Sequence, residues 1–233
     1  MEFLIILAII PVYIICKYVY DKDHVKESSA ILEKLFICGI LSCFLVLILS
    51  KIQIHFFPFF GEKISKLTNI EAFCSIFFGV GLIEEFCKWT MVYLVAYRVR
   101  EFDEVYDGIV YAVFVALGFA AFENIVYVLF SKYGIILAGA RALTAVPAHA
   151  CFGIVMGSFI SLAKISNKEK KHKMEIYYLL LSILIPSIIH TIYDFLLSIG
   201  NAPLLLCNFI LIILLYIYCI NKIKKESASN KLI

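Results

Sequence analysis

Three charged side chains, Glu84, Glu85 and Lys88, sit in the middle of one of the most apolar stretches of this chain, AFCSIFFGVGLIEEFCKWTMVYLVAY, residues 72–97. An apolar run of this length reads as a membrane-spanning helix, because roughly 20 residues cross the hydrocarbon. Each charge at mid-bilayer costs about 2.5–3.5 kcal/mol on insertion scales. Three of them within about one turn require partners on neighbouring helices. Other apolar runs carry such partners: Glu123, His149, His190 and Asp194. The expected fold is therefore all-α, a polytopic membrane protein whose helices close around a shared polar interior.

Composition agrees. The chain is 63% hydrophobic with a mean hydropathy of +0.95, against about 45–50% apolar residues in a soluble domain. Seven apolar segments can be drawn, at 3–20, 35–50, 70–97, 107–130, 135–163, 176–199 and 203–221, and they predict a bundle of about seven transmembrane helices. With 233 residues there is room for these spans and short loops, so one membrane-embedded domain, 1–233, is expected, with its motif region at 70–199. The first segment begins Met-Glu, lacks a basic leader and has no small-residue cleavage site, unlike a cleavable signal peptide. The eight cysteines lie in or beside apolar runs without any C-x-x-C pair, and read as small hydrophobes. The lipid bilayer is an expected partner and nucleic acid is not.

Lysine and arginine distribute unevenly among the connections. Fifteen fall in the 1–2, 3–4 and 5–6 connections and the C-terminal tail, Lys231 included, whereas Lys51, Lys63, Lys66 and Lys132 make four in the others, or five with Arg141. The positive-inside rule then places a multi-pass protein in the cell membrane with its N-terminus outside and its C-terminus in the cytoplasm. Counting along the helices puts Glu123, His149, His190 and Asp194 roughly 8–14 Å below the outer surface, with Glu84 and Glu85 near the middle of the third span. Four helices thus bring polar groups to a similar depth.

Helix geometry refines the cluster. Glu84 and Lys88 are spaced i,i+4, and Glu85 and Lys88 i,i+3. Glu84 and Glu85 point about 100° apart, so one can face a reacting atom while Lys88 or another helix holds its neighbour. A carboxylate in such a place suits general acid/base work. His190 and Asp194 are i,i+4, which lets Asp194 orient the imidazole or bind a substrate group. His149, Gly153 and Gly157 form a stripe on which a second helix can approach closely. Pro147 interrupts backbone hydrogen bonding just before His149.

These residues carry a resemblance. GLIEEFCKW has an E-E-x-x-K pattern, Asp107-Gly108 precedes GFAAFEN, PAHACFGIVMG has H-A-x-x-G, and IHTIYDF has H-x-x-Y-D-F. Together, over about 84–195, they resemble the PrsW intramembrane proteases. These are distant relatives of the CAAX-processing and bacteriocin-immunity membrane proteases. Compared with the latter groups, Lys88 replaces an arginine one residue further on, Glu123 stands where a histidine is found, and Asp194 replaces asparagine. The resemblance implies hydrolysis of a peptide bond in a single-span membrane protein substrate near the extracytoplasmic side, specifically an anti-sigma factor in an envelope-stress response. The catalytic set it points to is Glu84, Glu85, Glu123, His149, His190 and Asp194.

Cofactor use stays open at this level. One zinc ion held by His149, His190 and Glu123 and a metal-free activation of water by glutamate and histidine fit equally well. The competing function is a proton- or ion-coupled transporter, since intramembrane Glu, His, Asp and Lys also build proton relays. Against it, the two halves show no repeat and no paired broken helices. Structural readings also exist for single residues: Glu84, Glu85 and Lys88 as an ion cluster fixing helix register, Glu123 with Asn124 as an interhelical strut, and Arg141 as a side chain snorkelling to the interface.

Overall fold

A computed structural model describes residues 2–131, 133–229 and 232–233. Lys132 and Lys231, two of the basic residues counted above, lie outside the described residues. The described chain is helical: α1 (Glu2–Asp21), α2 (Ser29–Phe56), α3 (Asn69–Ile76), α4 (Leu82–Val95), α5 (Val105–Phe130), α6 (Gly134–Leu143), α7 (Ala145–Lys168), α8 (His172–Ile199) and α9 (Ala202–Ser229). Among the described residues the only β-type pairing is an isolated bridge between Glu104 and Leu232. This is an all-α, polytopic membrane bundle of about seven helical segments. Five of them, α2, α5, the α6–α7 pair, α8 and α9, are long and apolar enough to cross a membrane.

α5 is the axis of the bundle. It is buried from Val105 to Val113 and again from Val115 to Ala121, and packs most extensively on α7, then on α2 and α1. Small residues make this possible. A Cβ on Gly157 would collide with the backbone of Gly108 and Ile109, and one on Gly118 would collide with the carbonyl of Phe36. The stripe below His149 thus seats α7 directly on α5. Large apolar side chains face outward instead, among them Leu41, Leu47, Phe209 and Leu214. Such faces suit lipid.

Two expected spans are interrupted. Between α3 and α4 the backbone makes a π-helical turn at Phe77–Gly81, in which Leu82 N–H donates to Phe77 O. The expected span at 135–163 breaks at Thr144, whose φ of −121° and ψ of −71° are not helical. Proline explains the second break. Pro147 cannot donate to Leu143 O, and its ring would clash with that carbonyl in a continuous helix. α6 ends at Leu143, and Tyr216 OH donates to the freed oxygen at 2.5 Å.

The lysine- and arginine-rich connections gather at one end of the bundle. Tyr106 OH donates to Val19 O at 3.0 Å, Lys164 Nζ to Tyr97 O at 2.6 Å, and Ile233 N to Asp103 O at 2.6 Å. The charged cluster lies away from this end: Glu123 is sixteen positions beyond Asp107 on the same helix, about 24 Å along its axis.

Candidate active site

α4, α5, α7 and α8 meet around one polar constellation. On α4 the two glutamates part, as their angular offset requires. Glu85 is fully buried, and its Oε1 accepts from Lys88 Nζ at 2.7 Å and faces His190 Nδ1 at 3.0 Å. Glu84 lines a cavity and lies 3.4 Å from Lys88 Nζ through Oε2. Lys88 is the hub on this side. Its ammonium also reaches His149 Nδ1 at 3.1 Å and sits 4.0 Å from the centre of the Phe119 ring, where the ring face attracts a cation.

Across the cavity, His149 Nε2 lies 3.0 Å from Glu123 Oε2. Arg141 donates from Nη2 to the same oxygen at 2.8 Å and from Nε to Asn124 Oδ1 at 2.8 Å, with its guanidinium 4.2 Å from the centre of the Tyr127 ring. Asn124 donates in turn to Ala8 O at 2.9 Å, tying α1 to the site. On α8, His190 Nε2 lies 3.3 Å from Asp194 Oδ2 and 4.0 Å from Glu84 Oε2. Phe152 stacks on the His190 ring with centroids 4.8 Å apart.

The cavity between these groups has a volume of about 280 Å³ and is lined by Glu84, Glu123, Arg141, His149, His190 and Asp194, with Tyr127 and Tyr193. A larger space of about 610 Å³ between α1 and α2 is walled mainly by apolar side chains such as Ile9, Val12 and Phe36. The buried imidazoles and the carboxylates that face them are at the smaller one.

All six expected site residues therefore come together, but not in equal roles. Glu84, Glu123, His149, His190 and Asp194 reach the cavity, whereas Glu85 stands behind it. The donor atoms within 4.8 Å of one another belong to Glu84, His149 and His190. The metal set expected from the sequence had Glu123 in place of Glu84; Glu123 lines the same cavity, with its Oε2 shared by Arg141 and His149. Arg141 also departs from expectation. Instead of snorkelling to the interface, it turns inward on Glu123 and Asn124, because α6 ends at Leu143 and lies beside the C-terminal turns of α5. Charge near an expected helix end is read as interfacial, and that hid its role. Tyr127 could have been found as an i,i+4 neighbour of Glu123. Phe152 and Tyr193 bear no signal that separates them from ordinary core.

The donor set fits a metal. One carboxylate and two imidazoles are the ligand types of catalytic zinc sites. Hydrogen bonding from His190 Nδ1 to Glu85 would leave Nε2 directed at the cavity, the carboxylate–histidine pairing that orients metal-binding imidazoles. Charge points the same way. Glu84, Glu85, Glu123 and Asp194 carry four formal negative charges against the two positive ones of Lys88 and Arg141.

A polytopic helical bundle that buries carboxylates and imidazoles around a small cavity defines a membrane-embedded hydrolase site. Comparison with known proteins makes this specific. A family profile described as PrsW family intramembrane metalloprotease matches residues 27–220. Protease PrsW of Oceanobacillus iheyensis is 36% identical over 225 residues, covering 96% of this chain and 95% of the relative. Protease PrsW of Clostridioides difficile is 31% identical over 231 residues, covering 98% and 93%. That of Bacillus subtilis is 33% identical over 192 residues, covering 82% and 81%. No solved structure matches. The chain belongs to the PrsW family of intramembrane proteases and is a membrane-embedded peptidase. Nothing in these findings supports a transporter.

Proposed function

We propose that this peptidase cuts a single-span membrane protein in the extracytoplasmic half of the bilayer, and that its substrate is an anti-sigma factor whose cleavage begins an envelope-stress response. The reading is carried by the cavity that Glu84, Glu123, His149, His190 and Asp194 share. The substrate class rests on family membership. We further propose that Glu84, His149 and His190 hold one zinc ion, to which His149 would give Nδ1, the nitrogen that otherwise accepts from Lys88 Nζ, while its Nε2–H stays on Glu123. When bound, it would polarise the scissile carbonyl and make a bound water acidic.

The side chains supply the rest. Both hydrogen bonds to Glu123 fall on Oε2, so Oε1 is free to take a proton from the attacking water. The water oxygen bonds to the carbonyl carbon, the C–N bond breaks, and the proton passes from Glu123 to the departing amine nitrogen. Arg141 holds Glu123 in place and puts a positive charge on the cavity wall, where negative charge develops on the carbonyl oxygen. Asp194, on the open side of His190, is placed to hold the substrate backbone. Glu85 and Lys88 position His190, His149 and Glu84 from behind.

Two measurements test this. Glu84→Gln, Glu85→Gln, His149→Ala and His190→Ala variants, inserted normally, should each lose cleavage of a co-expressed single-span substrate. Retention of cutting in all four defeats the assignment. Purified protein should contain about one zinc per chain, lose activity on chelation and regain it on zinc addition. Full activity after complete metal removal would leave water activation to glutamate and histidine alone.

A further inference from the structure

A second acidic cluster lies at the other end of α5. Asp23, in the connection between α1 and α2, meets Glu104 and Asp107 at the entry to α5. Their relative exposures are 3%, 4% and 1%. Each offers an oxygen, and these oxygens lie within 4.8 Å of one another. Asp107 Oδ2 accepts from Asp103 N at 2.9 Å and Glu104 N at 2.7 Å, and Asp23 Oδ2 accepts from Glu27 N at 3.4 Å. The remaining oxygens, Asp23 Oδ1 and Asp107 Oδ1, are buried with no well-aligned hydrogen-bond donor among the described groups, although the Glu27 carboxyl lies within reach of that of Asp107.

A fourth carboxylate, Glu27, stands beside them and accepts from Tyr111 OH at 2.6 Å. Among the described residues no lysine or arginine pairs with any of the four. Lys26, the nearest in sequence to Glu27, turns its ammonium to Tyr20 O and the Tyr20 ring. Burying carboxylate oxygens without a donor is costly, and proteins resolve it by pairing them, protonating them or binding a cation. Burial pushes the carboxyls of Asp23, Glu27 and Glu104 upward from their ordinary range, so shared protons are the rival solution.

The ligand chemistry separates this cluster from the catalytic one. It contains oxygen donors only, with no imidazole or thiolate, which suits a hard cation such as Mg²⁺ or Ca²⁺ and not zinc. Its two orphaned oxygens come from different parts of the chain. We propose that Asp23, Glu104 and Asp107 form a structural site for a hard divalent cation, distant from the peptidase cavity. Occupancy would clamp the α1–α2 connection to the start of α5. The C-terminal residues join the same corner, since Leu232 bridges to Glu104 and Ile233 N donates to Asp103 O. The clamp would therefore hold three distant parts of the chain together.

The test uses the full-length protein in detergent micelles. Tb³⁺, a luminescent stand-in for Ca²⁺, should give tyrosine-sensitised emission through Tyr111, and excess Ca²⁺ or Mg²⁺ should quench it. Adding Ca²⁺ or Mg²⁺ should also raise the unfolding temperature by mass action. Asp23→Asn keeps an acceptor for Glu27 N and should lose both responses, as should Glu104→Gln if Asp23→Asn does not fold. His149→Ala, altered in the catalytic cavity, should keep them. Absence of both responses in the unaltered protein overturns the proposal. So does their survival in the cluster variants, or their loss in His149→Ala alone. Stability that follows pH but not cation concentration assigns the cluster to shared protons.

Discussion

Glu85 Oε1 lies 3.0 Å from His190 Nδ1, across 105 residues of sequence, and the same oxygen accepts from Lys88 at 2.7 Å. One buried carboxylate thus fixes both the ring of α8 and the ammonium of α4. Its own second oxygen, Oε2, is buried without a hydrogen-bond partner. Glu85 is a positioning residue, and removing its charge leaves Lys88 under-compensated in the interior.

The first prediction follows from that pair. Breaking a buried ion pair from one side costs about 3–5 kcal/mol, whereas replacing both partners by apolar groups is often neutral. Glu85→Gln should lower the unfolding temperature and the cleavage rate. Adding Lys88→Met should restore much of the unfolding temperature and none of the rate, because His149, His190 and Glu84 stay unanchored. Thermal unfolding and single-turnover cleavage on the same preparations read the two effects. Recovery of both together would make the pair purely structural.

A second prediction concerns Arg141. Its fork serves Glu123 and Asn124 at once, which a lysine cannot reproduce. Arg141→Lys should reduce kcat by about tenfold or more, the scale seen when outer-shell partners are lost, with little change in KM or unfolding temperature. A variant that cleaves at the normal rate would return Arg141 to an interfacial role.

The main helices were legible from hydropathy, and the convergence of α4, α5, α7 and α8 from the cost of charge in lipid. The seating of α7 on α5 was legible from Gly153 and Gly157. Other features were not. The break at Thr144 was visible only as Pro147 three residues later, because proline acts on the carbonyl four positions before it. The turn at Phe77–Gly81 has no periodic signature. FFGVG reads as helix interior, and Gln53 Nε2 donating to Phe78 O at 3.0 Å, a contact from another helix, helps hold the irregular geometry. Asp23 stood in a polar connection and Asp107 at the first position of the span expected at 107–130, places where carboxylates are ordinarily solvated, so their burial had no sequence signal.

Orientation is the third prediction. The basic connections share one end of the bundle, and the positive-inside rule predicts that this end is cytoplasmic. Reporter fusions at Lys168 and at Phe60 should report cytoplasm and exterior respectively. The reverse pattern, or a common side for both, would refute an extracytoplasmic cleavage site.

The fourth prediction concerns substrate entry. HFFPFFGEK, residues 55–63, joins α2 to α3 and folds as a short 3-10 turn at Pro58–Gly61. Phe56 and Phe57 are exposed, and the Phe60 ring comes close to Gly79 in the π turn. Aromatic side chains favour the membrane interface, and this group touches the backbone that leads into Glu84. Replacing Phe56, Phe57, Phe59 and Phe60 with serine should reduce cleavage of a membrane-embedded substrate much more than cleavage of a short soluble peptide. Equal losses on the two, or none, would leave the segment as an anchor.

The π turn at Phe77–Gly81 has one more consequence, which concerns angular phase. Such a turn absorbs one residue beyond the α-helical count, and each residue is worth about 100° of rotation. Carried straight through from α3, the same sequence would present Ile83 to the cavity, stand Glu84 where Glu85 meets His190, and put Cys87 in the seat of Lys88. Five uncharged residues of backbone, none of them a donor or acceptor in the reaction, thus decide whether the substrate encounters a carboxylate or an isoleucine at that wall of the cavity.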